Sequence, residues 1–179
     1  KQYLPLLEMA VRELPDARNL YYLGREQSYY QQWDKAKENL KKYLEISIFP
    51  QEKAAACRIL AKADPENAEE WFIRGTEEWA CRESILALAN HYYMTKQWEE
   101  CHLVAKKSLD FNTKPVEFLA ESWAWGHMAY DLIAVSAWQL NDFTTALEYG
   151  QKAVEISPDD ERLRKNLEFY RSKVNGYNI

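Results

Sequence analysis

The chain has 179 residues and a formal net charge of −5, enough for one ordinary domain or a run of repeats of similar mass. The mild acidity, with no basic stripe, excludes a nucleic-acid phosphate footprint, and without an apolar run of roughly 18 residues no segment reads as a membrane span. Three cysteines, Cys57, Cys81 and Cys101, give neither a disulfide framework nor metal-type spacing, which points to a reducing, cytoplasmic setting.

Five Gly and six Pro are few for this length and favour long uninterrupted helices. Residues 3–14 read as an amphipathic helix with Leu4, Leu7, Met9, Val11 and Leu14 as its apolar set and Pro5 in its first turn. Pro15-Asp16 ends it, and Asp16 suits the N-cap of the next helix. Two helices follow over 17–31 and 33–46, with small residues Gly24 and Ala36 twelve apart. Residues 51–79 are the least regular pair: Ala54 to Ala61 form a helix stopped by Asp64-Pro65, and Glu66 to Trp79 form the next. In the third pair Ile85, Leu88, Ala89 and Tyr92 precede Trp98, Cys101, Ala105 and Ser108. Residues 112–126 then interrupt the pattern with a lengthened turn or a short helix. Tyr130 to Leu140 and Asp142 to Ile156 make the fourth pair, separated by the helix-breaking Asn141-Asp142. Ala146, Gly150 and Ala153 share one face of its second helix and admit a neighbouring backbone. Asp159 to Lys173 closes the chain, with Leu163, Leu167 and Tyr170 inward and a charged outer face.

The small residues recur: Ala36 to Cys101 is 65 residues, and Cys101 to Ala146 is 45. With Pro158 after the last pair, this pattern resembles the tetratricopeptide repeat. The resemblance implies an all-α chain, a right-handed α-solenoid of helical hairpins with about ten helices. Residues 1–15 would be the end of a preceding repeat, 16–50, 51–81, 82–114 and 127–158 the repeat units, 112–126 an insertion and 159–175 a capping helix, in a single domain over 1–179. The start at Lys1, almost inside a helix, suggests a piece of a longer protein.

No phosphate-binding glycine loop and no H-E-x-x-H are present. Cys101 and His102 are chain neighbours, so on a helix they point about 100° apart and do not pair as nucleophile and base. Asp159-Asp160-Glu161 suits a helix start, where negative charge meets the helix dipole. No catalytic residue, metal ligand or cofactor is therefore expected. A small enzyme with its site near His91, Cys101 and His102 is the alternative from another class. In tetratricopeptide proteins the first helix of each pair lines a concave groove. Carried over, that face gives Arg18, Tyr21, Arg25, Ser28 and Tyr29 in the first unit. It gives Glu83, Leu86, Asn90, Tyr93 and Met94 in the third, and Met128, Asp131, Val135, Trp138 and Gln139 in the fourth. Arg18 and Arg25 beside Tyr21 and Tyr29 offer bidentate anion contact with aromatic flanks. The Lys/Asn/Arg clamp of chaperone-tail-binding members is matched only by Asn90, which disfavours that subclass.

Three stretches, D-A-R-N-L-Y-Y-L-G-R-E (16–26), R-E-S-I-L-A-L-A-N-H-Y-Y (82–93) and 123–138 running on to 146–167, resemble the helical region that follows the catalytic domain of some bacterial and phage family-2 glycosyltransferases. The catalytic α/β domain and its Asp-x-Asp motif have no counterpart here. The resemblance implies a non-catalytic accessory region that binds a protein, a peptide or a glycan acceptor, with no transferase activity alone. Oligomerisation is compatible with this role; nucleic-acid and membrane partners are not expected. A stand-alone adaptor is the alternative.

Overall fold

The computed structural model describes residues 3–116, 119–174 and 176. Those residues form ten α-helices and no strand: α1 (Leu4–Glu13), α2 (Ala17–Tyr29), α3 (Trp33–Ile46), α4 (Pro50–Ala63), α5 (Ala68–Glu78), α6 (Arg82–Met94), α7 (Trp98–Lys107), α8 (Met128–Gln139), α9 (Phe143–Ile156) and α10 (Glu161–Val174). By packing, the chain divides into two compact units, Lys1–Ala80 and Cys81–Ile179.

In the first unit α2 and α3 form one hairpin and α4 and α5 another, with α1 packed on α2. The hairpin of α2 and α3 is tight because Gly24 and Ala36 carry almost nothing between the backbones. A Cβ on Gly24 would sit 2.6 Å from Leu40 Cγ, and Ala36 and Leu40 are both fully buried. Tyr21 and Tyr43 complete this core, with ring centroids 5.1 Å apart.

In the second unit α6 pairs with α7 and α8 with α9, and α10 packs on α9. The small face of α9 does what its spacing implies. Ala146 is fully buried and Ala153 is 1% exposed, and a Cβ on Gly150 would come within 2.7 Å of the Tyr170 ring of α10. Ala134, Ala137, Ala146 and Tyr170 form one buried cluster, edged by Trp138, Leu147 and Tyr149.

Three hairpins turn in the same way. Gln31, Lys96 and Asn141 each take left-handed backbone, with φ of 57°, 60° and 63°. The residue after each donates its N–H back across the turn: Gln32 to Gln27 O, Gln97 to Tyr92 O and Asp142 to Ala137 O, all at 2.9 Å. This is the six-to-one bond of a Schellman helix end. The pair α4 and α5 departs from it, which is why its register looks irregular in sequence. A 3-10 turn at Pro65–Asn67 replaces the left-handed residue. The buried Asp64 carboxylate ties the corner together, accepting from Lys37 Nζ at 2.6 Å and Trp71 Nε1 at 3.1 Å, with Lys41 Nζ at 3.5 Å.

The interruption between α7 and α8 contains two 3-10 turns, Ser108–Asp110 and Ser122–Trp125. Residues 117 and 118 of the expected insertion, Lys1 and Gln2 of the expected preceding repeat, and residue 175 of the expected capping helix lie outside the described residues.

Candidate functional site

The first-helix face of the first unit is built on α2. Asp16 starts that helix by accepting from Asn19 N at 2.8 Å. Beyond the cap, Arg18, Tyr22, Arg25 and Tyr29 recur at spacings of three and four, so they share one side of the helix. The Arg18 guanidinium lies 5.9 Å from the Tyr22 ring centroid, and that of Arg25 lies 4.9 Å from the same ring and 5.7 Å from Tyr21. Arg25 Nε is buried without a hydrogen-bond partner. Tyr29 is 68% exposed, and Ser28 is turned inward along the helix, donating to Arg25 O at 2.6 Å. Tyr21 itself is 1% exposed. Burial pushes its hydroxyl up to about 12, despite the opposing pull of Arg25. Tyr21 is therefore a floor beneath this face, and Tyr22, absent from the sequence expectation, is the ring on which both cations rest.

In the second unit the corresponding side chains are more committed to their neighbours. Tyr93 meets Trp98 edge-on at 5.9 Å. Asp131, on α8, is held by a bidentate pair from Arg162 of α10: Nη1 to Oδ1 at 3.1 Å and Nη2 to Oδ2 at 2.8 Å. Trp138 packs between Phe143 and Tyr170, at 5.0 and 5.4 Å between ring centroids. Asn90 is half-buried, Met94 is exposed and Leu86 is fully buried. Met128 and Val135 are half-buried, and Gln139 is exposed. Glu83 is 3% exposed and faces the interrupting segment, accepting from Trp125 Nε1 at 2.7 Å and Glu121 N at 3.1 Å. Arg82 grips the same segment through the Ala124 and Phe111 carbonyls, at 2.8 and 3.0 Å, with its guanidinium 4.9 Å from the Trp125 ring centroid.

Sequence reasoning missed Arg162 and the Arg82–Glu83 anchor. The first was findable, because Arg162 stands 34 residues after Met128, so α10 continues the register as a further first helix. The anchor was not, since its partners lie 29 to 42 residues away in sequence.

Cys101 and His102 look to different partners. Cys101 is fully buried, its Sγ lies 4.0 Å from Leu132 O, and burial pushes its thiol up to about 11. His102 Nδ1 lies 3.1 Å from Ser136 Oγ, and burial followed by the nearby Lys106 lowers its pKa. Ser136 is itself fully buried, with its hydroxyl 2.7 Å from Leu132 O. A buried neutral thiol and a buried hydroxyl bonded to a helix carbonyl are poor nucleophiles. Asp160 is a cap, accepting from Arg162 N and Leu163 N at 3.0 and 3.2 Å. No group of three or more His, Cys, Asp or Glu that would suit a metal ion occurs among the described residues. No described helix is long and apolar enough to cross a membrane.

Hairpins of this kind, turned alike and seated on small residues, define a tetratricopeptide-like helical-repeat fold. Solved structures with the same fold include MamA protein, with a TM-score of 0.71 and 16% identity over 90% of this chain and 83% of that one. Another is TTC0263, a thermophilic TPR protein in Thermus thermophilus, with a TM-score of 0.57 and 19% identity over 93% of this chain and 88% of that one. No family model and no curated protein matches the chain.

Proposed function

We propose that this chain is a non-catalytic binding module that holds partner-protein segments against the first helices of the hairpins within each unit. The observation that carries this reading is the contrast between its titratable groups and its surface. The thiol and the imidazole nearest each other in sequence are spent on packing, while α2 presents two arginines and an exposed tyrosine on one side. A rigid face adds little ordering cost on association. The finer reading follows the resemblance of 16–26, 82–93 and 123–167 to the region behind family-2 glycosyltransferase domains. There this module would position a protein, peptide or glycan acceptor for an enzyme on the same chain. A stand-alone adaptor fits the same geometry, and the reading frame upstream of Lys1 separates the two.

The binding role is tested by selecting peptides from a displayed library against the whole chain. Tyr29→Ala, Asn90→Ala and Tyr93→Ala should weaken the selected peptides severalfold, and Lys42→Ala and Glu148→Ala, on second helices, should not. Equal losses from both sets would refute the first-helix assignment.

A further inference from the structure

We infer that the stretch from Glu121 to Trp125 is an internal ligand: it occupies the start of the α6 face in place of a partner, and a tryptophan-bearing peptide segment must displace it to bind there. This deepens the proposed binding role and rests on it.

The 3-10 turn in this stretch packs against both α6 and α8, the first helices of the two hairpins in the second unit. It is held by contacts of the kind a bound peptide makes. Arg82 Nε donates to Ala124 O at 2.8 Å, and Arg82 Nη1 donates to Phe111 O at 3.0 Å. Glu83 Oε1 accepts from Glu121 N at 3.1 Å and from Trp125 Nε1 at 2.7 Å. Three of these four bonds go to main chain, which any peptide carries, and the fourth goes to an indole N–H, which only tryptophan carries. The Trp125 ring centroid also lies 4.9 Å from the Arg82 guanidinium. With the stretch in place Arg82 and Glu83 are buried and out of a partner's reach. Farther along α6 the face is more open: Asn90 and Tyr93 are half-buried and Met94 is exposed. Glu83 stands in the first turn of α6, where negative charge is favoured. Its carboxylate therefore stays ionised in water when the stretch lifts, and lifting costs little beyond the bonds it breaks. An internal ligand competes at an effective concentration set by its tether. A free segment must then reproduce its contacts, an indole N–H for Glu83 and backbone carbonyls for Arg82, and this sets the chemistry of the partner.

The test is fluorescence anisotropy with the whole chain and a fluorescein-labelled octapeptide, L-A-E-S-W-A-W-G, the sequence of residues 119–126. While the tethered copy prevails, the apparent affinity of the free one rises as the tethered copy is weakened. Trp125→Phe removes the indole N–H from the tethered copy alone. The octapeptide should therefore bind that variant about tenfold more tightly than the unaltered chain, with the helical circular dichroism unchanged. On the same variant, an octapeptide with Phe in place of its second Trp should bind about tenfold less well. Adding Glu83→Ala to Trp125→Phe should abolish the gain, whereas mere loosening of the stretch would enlarge it. In the unaltered chain, saturating octapeptide should speed amide exchange at Glu121, a readout that needs no variant to fold. Equal affinity for the unaltered and Trp125→Phe chains, binding indifferent to Glu83, no binding to either chain, or unchanged exchange at Glu121 would overturn the proposal. If library-selected peptides still bind through Asn90 and Tyr93 while the octapeptide does not, the internal ligand falls and the broader binding role stands.

Discussion

Replacing Gly24 by Ala should destabilise the chain, although alanine is the better helix former. On an exposed helix surface the change would gain about 1 kcal/mol. Here the new methyl would sit 2.6 Å from Leu40 Cγ, 2.8 Å from Leu40 Cδ2 and 3.4 Å from Ala36 O. Carbon atoms pack best about 3.5–4.0 Å apart, so the overlap is close to an ångström. Leu40 is fully buried and cannot swing into solvent. Overpacking of this kind costs about 1–3 kcal/mol. Set against the helical gain, the net expectation is a loss of up to about 2 kcal/mol. Leu40→Ala alone should cost about 3–4 kcal/mol, as a large-to-small change at a closed site. In the double variant the methyl added at position 24 enters space that Leu40 has vacated. The clash disappears, the helical gain stays, and the double variant should be more stable than Leu40→Ala by about 1 kcal/mol. Urea unfolding followed by far-ultraviolet circular dichroism measures all three. A more stable Gly24→Ala single variant, or effects that add to within about 0.5 kcal/mol, would refute the close seating of α2 on α3.

Lys96→Gly and Gln31→Gly should each stabilise by up to about 1 kcal/mol, since both residues hold left-handed backbone without the tolerance of glycine; unchanged or lower thermal midpoints would count against the shared turn. Asp64 is held well below the usual carboxylate range, first by its hydrogen bond from Lys37 and then by that from Trp71. Its contribution is therefore present at neutral pH and is lost as pH falls below the ordinary value of 3.8. Asp64→Asn should be less stable than the unaltered chain at neutral pH and show a flatter loss on acidification, as read by urea midpoints across that range. Glu83→Ala removes the acceptor for Trp125 Nε1 and Glu121 N. It should cost about 2–3 kcal/mol for charged hydrogen bonds in a buried place and speed amide exchange at Glu121, where unchanged protection would mean the anchor does not hold the segment.

Much of the fold was legible because helices announce themselves locally. Trp33 to Ile46 was read at its observed bounds, and the spacing of Gly24 to Ala36 and the small face of Ala146, Gly150 and Ala153 located two hairpins. The turns were only partly legible. Asn141 carries a left-handed signature, whereas Gln31 and Lys96 adopt the same backbone with side chains that do not advertise it. The candidate site was read less well. One step along a helix turns a side chain by about 100°, and that step separates Tyr21, in the core, from Tyr22, under both arginines. The Arg162–Asp131 pair and the grip of Arg82 and Glu83 on the segment before α8 join residues far apart in sequence. Only packing brings them together.

The central claim, that partners are held on the first helices, is tested most directly by amide shift mapping. An isotopically labelled chain would be titrated with a library-selected peptide and its resonances assigned. The account predicts that the largest shifts fall on first helices, α2 and α4 in the first unit or α6, α8 and α10 in the second, with α3, α5, α7 and α9 little changed. Shifts concentrated on the second helices, or around His102 and Ser136, would contradict it.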